Sequence, residues 1–187
     1  MSAARDWVGS TSGEATNEGG RPVRAASLES VEGPDFHQVD VAALMRESKE
    51  LLEVTRRIHG IAVKLELPEE AVLARTGLRR TRQVLLLLLA HAADHAGEAG
   101  VRVSLDSPDD FGDEGPRFQV VTPDAHLSER ELRAVLLSPM LVGPAHRRLA
   151  RARELVESVG GTLDVARGVE QGLTVTVELP APGLACW

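Results

Sequence analysis

The sequence predicts a two-layer α/β sandwich: a mixed, mostly antiparallel sheet with helices on one face. Three observations predict it. Along the chain the patterns run helix, strand, strand, helix, hairpin, helix, helix, hairpin, which is not the strict strand–helix alternation of a doubly wound parallel sheet. The strand-like segments alternate apolar and polar residues, as strands with one covered face do. The stretch from Val84 to Ala93 is apolar almost all round apart from His91, which predicts a helix buried on most sides.

The elements follow in order. Residues 1–36 are rich in Gly, Ser, Glu and Ala without sustained periodicity, and too little apolar surface offsets the entropy of ordering them. They are expected to be a disordered tail, with Trp7 and Val8 as its one apolar pair. Asp40 is placed to cap a helix carrying Leu44, Leu51, Leu52, Val54 and Ile58, ended by Gly60. IAVKLEL (61–67) alternates as a strand and stops at Pro68. A short strand over 71–74 is expected to pair with it. The helix over 78–96 ends at Gly97 and Gly100. VRVSLD and RFQVVT form a hairpin across the turn-rich PDDFGDEGP. Ser128 with Glu131 reads as a capping box opening the next helix. SPMLVGP is a short apolar loop before a helix over 145–159, closed by Gly160 and Gly161. TLDVAR and LTVTVELP form the last hairpin across GVEQG, and 182–187 is a loose end.

Composition narrows the function. A net charge of -7 argues against nucleic acid as the main partner and against a basic membrane-binding surface. The single cysteine, Cys186, excludes a disulfide framework within one chain. No signal peptide is read at the N-terminus, and no apolar run approaches the roughly 20 residues of a spanning helix. A cytoplasmic protein without membrane insertion is expected.

From Val39 to Pro180 the order and three local segments resemble the ATP-binding domain of sensor histidine kinases, of the GHKL superfamily. VDVAALMRE is similar to that family's opening segment. LRRTRQVLLLLLAHAADHA is similar to its helix R-x-Q-V-L-x-N-L-x-x-N-A. RELVESVGGTLDVARGVEQGLTVTVELP is similar to its closing helix and hairpin. The resemblance implies a histidine-kinase-type ATPase domain over 37–181, and it marks the positions where the family handles nucleotide. The two helical asparagines, the second of which holds magnesium, correspond to Leu87 and His91. Leucine ligates nothing, and magnesium prefers hard oxygen ligands to imidazole. The D-x-G-x-G box corresponds to Thr122, Asp124 and His126. The G-x-G-L box corresponds to His146, Arg147, Arg148 and Leu149. Adenine anchor, metal anchor and phosphate loop are thus altered together. Each lost hydrogen bond to a charged partner is worth about 1.5–3 kcal/mol, so two or three losses weaken ATP binding by roughly 10³-fold.

The family's phosphoacceptor histidine is followed by Glu or Asp. The six histidines here are followed by Gln38, Gly60, Ala92, Ala96, Leu127 and Arg147. The reading is therefore a non-catalytic pseudo-ATPase or pseudokinase module that acts through a protein partner in bacterial-type signalling, with ATP and magnesium weak or absent. The alternative is a divergent ATP-binding kinase or nucleotide switch of the histidine-kinase or anti-sigma-factor-kinase type.

Three further features have a functional and a plain reading. His91, Asp94 and His95 share a helical face and could ligate zinc; the plain reading is histidines filling a helix end, and no metal is assigned. Arg79, Arg80 and Arg82, with Arg147, Arg148, Arg151 and Arg153, are basic runs that read either as docking sites for an acidic protein surface or a phosphate, or as solvated helix faces with Glu partners. Met140, Leu141 and Val142 form either a plug over a vacated pocket or a partner contact.

Overall fold

The computed structural model describes residues 37–107, 114–137, 139–167 and 172–181. The expected tail over 1–36, with Trp7 and Val8, lies outside them. So do most of the PDDFGDEGP and GVEQG connectors, Ser138, and the end over 182–187 with Cys186.

Among the described residues, seven strands and four α-helices follow one another: β1 His37–Asp40, α1 Val41–Val54, β2 Val63–Glu66, β3 Leu73–Thr76, α2 Leu78–His95, β4 Val101–Asp106, β5 Arg117–Thr122, α3 Glu129–Leu137, α4 Arg147–Ser158, β6 Thr162–Arg167 and β7 Leu173–Glu178. Two short 3-10 helices, Pro139–Leu141 and Pro144–His146, link α3 to α4. The main sheet has five strands in the order β2-β4-β5-β7-β6. In it β2 and β4 pair in parallel, and the pairings β4–β5, β5–β7 and β6–β7 are antiparallel. This is the expected mixed, mostly antiparallel sheet.

Register shows why one face is covered. Leu65, Val103, Val120, Val175 and Val165 stand in one row across all five strands, and Leu105, Phe118, Val177 and Leu163 in another. All but Leu65, which is half-buried, are core residues. Between these rows lies Glu66, Ser104, Gln119, Thr176 and Asp164, none of them buried. Period two therefore gives the sheet one apolar face, against which α2, α3 and α4 pack, and one polar face. Burying a side chain such as Phe118 contributes about 1.5–3 kcal/mol.

Each helix end has a local cause. Asp40 accepts hydrogen bonds from the N–H groups of Ala42 and Ala43 at 3.0 and 3.2 Å, the expected N-cap. At α3 the capping box forms: Glu131 N–H donates to Ser128 Oγ at 3.3 Å, and Ser128 N–H donates to Glu131 Oε2 at 3.0 Å. Gly160, at φ 81°, ends α4, with the Gly160 and Gly161 N–H groups donating to the Glu157 and Val156 carbonyls.

Four expectations are corrected. The first helix ends at Val54, ahead of Gly60, because Arg56 itself takes the left-handed conformation at φ 57°. Arg56 and Arg57 N–H then donate to the Glu53 and Leu52 carbonyls, the same closure that Gly160 makes. Of the expected apolar face Leu44 and Leu52 are buried, but Leu51 and Val54 face outward, and Val41, Ala42, Met45 and Ser48 complete the buried side of α1. The third strand lies at Leu73–Thr76 and pairs antiparallel with β1, not with β2. That β1 strand went unread because four residues are too few for an alternation to stand out.

Candidate functional site

The C-terminal half of α2 and the start of α4 meet over the sheet, since α2 packs against both α1 and α4. Residues four apart share a helical face, so His91 and His95 project together from the last turns of α2. The third element is the link before α4. Pro144 opens its 3-10 helix, His146 N–H donates to the Gly143 carbonyl at 3.1 Å, and His146 takes the N-cap position of α4. Its side chain makes no cap hydrogen bond, and the imidazole lies beside α2.

Three imidazoles converge there. His91 Nε2 and His146 Nδ1 are 3.1 Å apart in a buried hydrogen bond. Ring centroids are 4.4 Å apart for His91 and His95, 5.5 Å for His91 and His146, and 5.1 Å for the stacked pair His95 and His146. One ring nitrogen from each lies within 4.8 Å of the other two. His95 Nδ1 is 2.8 Å from the His91 carbonyl oxygen, which accepts its N–H. His146 Nε2 stands 3.6 Å from Glu131 Oε1. His91 is 2% exposed and His146 5%.

Burial is the main reason both buried rings are neutral. It pushes the His91 imidazole down to about 3, aided by His95, His146 and Arg148 nearby. It also lowers His146, with His95 adding to the effect and the Glu131 carboxylate opposing it. Glu131 is held below the usual carboxylate range by the Ser128 hydroxyl and N–H. Neutral imidazole is the hydrogen-bonding and metal-ligating form.

The other residues singled out from sequence are dispersed around this cluster. Leu87, on α2, packs against the core. Thr122 is buried at the end of β5. Asp124 turns toward the α2–β4 loop and accepts the Ala99 N–H at 3.1 Å; a side chain at Gly97 would collide with this carboxylate. His126 is exposed, and the histidine cluster does not include it. Asp94 also stays out of the cluster, because Arg148 of α4 pairs with it. Arg147 is exposed. Three arginines of the basic runs pair with glutamates, Arg82 with Glu47 at 2.8 Å, Arg151 with Glu154 at 2.6 Å and Arg153 with Glu157 at 2.8 Å, while Arg80 donates to the Ser158 carbonyl at 3.3 Å.

The α3–α4 link divides. Met140 and Leu141 are 96% and 78% exposed, whereas Val142 turns inward at 8%. Leu137, at the end of α3, is 77% exposed, and it extends the apolar surface beyond the three residues read from sequence. A cleft of about 390 Å³ opens beside this link, lined by Ser128, Glu131, Ala134, Leu141 and Val142 and reaching His146. A smaller one, about 280 Å³, lies at Gly115, Arg117, Gly161 and Glu178. Among the described residues, no helix is long and apolar enough to cross a membrane.

No protein-family model and no curated protein matches this sequence. Solved structures do match in fold. The nucleotide-free catalytic domain of histidine kinase ThkA is similar at 20% identity and TM-score 0.64, over 79% of this chain and 97% of that one. The mycobacterial sensor histidine kinase MprB is similar at 19% and 0.62, over 80% and 99%. The ATP-binding domain of PrrB from Mycobacterium tuberculosis is similar at 19% and 0.60, over 80% and 99%.

Proposed function

We propose that this chain, which has the fold of histidine-kinase catalytic ATP-binding domains, is a non-catalytic module that acts through a protein partner in a signalling or regulatory complex. One observation carries the reading. Four polar side chains at the positions where the resemblance places nucleotide and magnesium contacts, His91, His146, Asp124 and Arg148, bind to each other or to the fold. His91 is sealed against His146, Asp124 holds the Ala99 N–H, and Arg148 is paired with Asp94. Leu87 belongs to the apolar packing. Residues 87 and 91 offer no side-chain oxygen to a magnesium ion, which takes oxygen ligands. Magnesium–nucleotide does not fit this donor set.

Part of the exposed surface near these positions is apolar. Leu137, Met140 and Leu141 stand exposed beside the cleft, and exposed large side chains clustered at one place suit a protein contact.

Thermal unfolding of the chain with and without millimolar ATP and magnesium tests the first half of the reading. A ligand at about 100 times its Kd stabilises by roughly 2.7 kcal/mol, which raises the midpoint by about 5–11 °C for a domain of this size. No shift is expected. A shift of that size would replace the reading with a divergent ATP-binding kinase or nucleotide switch. For the second half, crosslinked partners recovered from native cells are expected to be lost on Met140→Asp and Leu141→Asp. Recovery unchanged by both substitutions would remove that surface from the proposal.

A further inference from the structure

We propose that His91, His95 and His146 form a binding site for a divalent first-row transition ion, zinc foremost, with one imidazole nitrogen from each directed at a common point. Three donor nitrogens within 4.8 Å of one another already approximate one face of a tetrahedron. At a zinc–nitrogen distance of about 2.0–2.1 Å, tetrahedral ligands stand about 3.4 Å apart. The His91–His146 pair is at 3.1 Å. Closing the remaining gap takes rotation of the His95 ring, which is only half-buried.

The surroundings of two of the three rings match what metal-bound histidines require. Such a histidine donates its other ring N–H to a carbonyl or carboxylate, which fixes the tautomer and the ring plane. His95 Nδ1 does so to the His91 carbonyl at 2.8 Å, leaving Nε2 as the ligand atom. His146 Nε2 faces the Glu131 carboxylate at 3.6 Å, leaving Nδ1. The same carboxylate is anchored through its other oxygen by the α3 capping box. The supports are rigid: two ligands four apart on α2, and a third at the start of α4, which packs on α2.

Imidazole donors select zinc, copper, nickel or iron over magnesium and calcium. Three protein ligands leave a fourth position for water. Bound there, the ion would clamp the end of α2 to the start of α4. This inference does not depend on the nucleotide reading, because the ligands and the test are separate.

The test uses the untagged full chain, stripped with chelator and titrated with zinc chloride by calorimetry, then with cobalt(II) by visible absorption. One zinc per chain, a raised melting temperature, and the d–d bands of a four-coordinate cobalt site are expected. His95→Ala, at a half-buried position, should abolish all three while keeping the circular dichroism of the chelated protein. His126→Ala should change none of them. Glu131→Gln keeps the capping-box hydrogen bonds and removes the carboxylate charge, and should weaken zinc about 10–100-fold. Folded wild-type chain that takes up no stoichiometric zinc, or zinc affinity equal in wild type and His95→Ala, would overturn the proposal.

Discussion

His91 and His146, 55 residues apart, meet through Nε2 and Nδ1 at 3.1 Å in a buried hydrogen bond. Such a contact requires at least one neutral ring, because one nitrogen must accept. It ties the last turns of α2 to the entrance of α4, so the state of two imidazoles is coupled to the packing of two helices.

Metal-free protein should lose stability on mild acidification. His91 titrates near 3 when folded, against 6.5 as the ordinary value. Between those values the unfolded chain holds a proton that the folded chain lacks, so unfolding free energy rises with pH across this window and falls as pH is lowered through it. His146 is also lowered and adds in the same direction. Each such proton contributes at most about 1.4 kcal/mol per pH unit. Urea midpoints in chelator between about pH 5 and 7, above the ordinary carboxylate range, should show this slope, and His91→Gln should flatten it. A flat wild-type profile would contradict the buried neutral pair.

Arg148 and Asp94 join the same two helices at the surface, with side chains 38% and 42% exposed. Solvent screening keeps such pairs to about 0–1 kcal/mol. A double-mutant cycle with Arg148→Ala and Asp94→Ala should return a coupling in that range, shrinking as salt is added. A coupling well above it would mean that the pair is a larger part of the α2–α4 contact than its exposure allows.

Arg56 is the described non-glycine residue with positive φ. A left-handed conformation costs a side-chain-bearing residue roughly 1–2 kcal/mol, partly offset in any glycine variant by the freer unfolded chain. Arg56→Gly should therefore raise stability, by about 0.5–1 kcal/mol, in a denaturant titration. Arg56→Val should lower it.

Ser128 and Glu131 close the capping box at α3. Ser128→Ala should cost about 0.5–2 kcal/mol. Glu131→Gln should cost little stability, since Gln serves the same box. Equal losses in both would show that the charge of Glu131, rather than the cap, holds α3.

Much of the fold was legible because its signals are local. The Asp40 cap, the Ser128–Glu131 spacing and the double glycine after α4 each act within a few residues and each formed as read. Alternation in VRVSLD and RFQVVT named the strands and their buried sides. Strand partners were less legible. The parallel pairing of β2 with β4 and the capture of β3 by β1 depend on the path of the chain between them, which no window of sequence records. The candidate site divides the same way. The i, i+4 pair His91 and His95 is visible as a helical repeat. Asp94 shared their sequence motif but is drawn away by Arg148, and His146 takes the third place from α4. That exchange is settled by the meeting of two helices. Glu131 carried a visible signal as a cap residue, but its second role beside His146 did not.

The two strands at the rims of the main sheet have a consequence for life in a crowded solution. An open rim offers unpaired backbone groups to any other extended chain. On one rim β2 spans four residues and carries Lys64 and Glu66, ion-paired at 2.7 Å. On the other, β6 exposes Asp164 and ends at Arg167. A second copy approaching either rim edge-on must strip water from these charges before any ladder can form. Lys64→Val and Asp164→Val, at exposed positions, would each remove one of the charges that guard these rims.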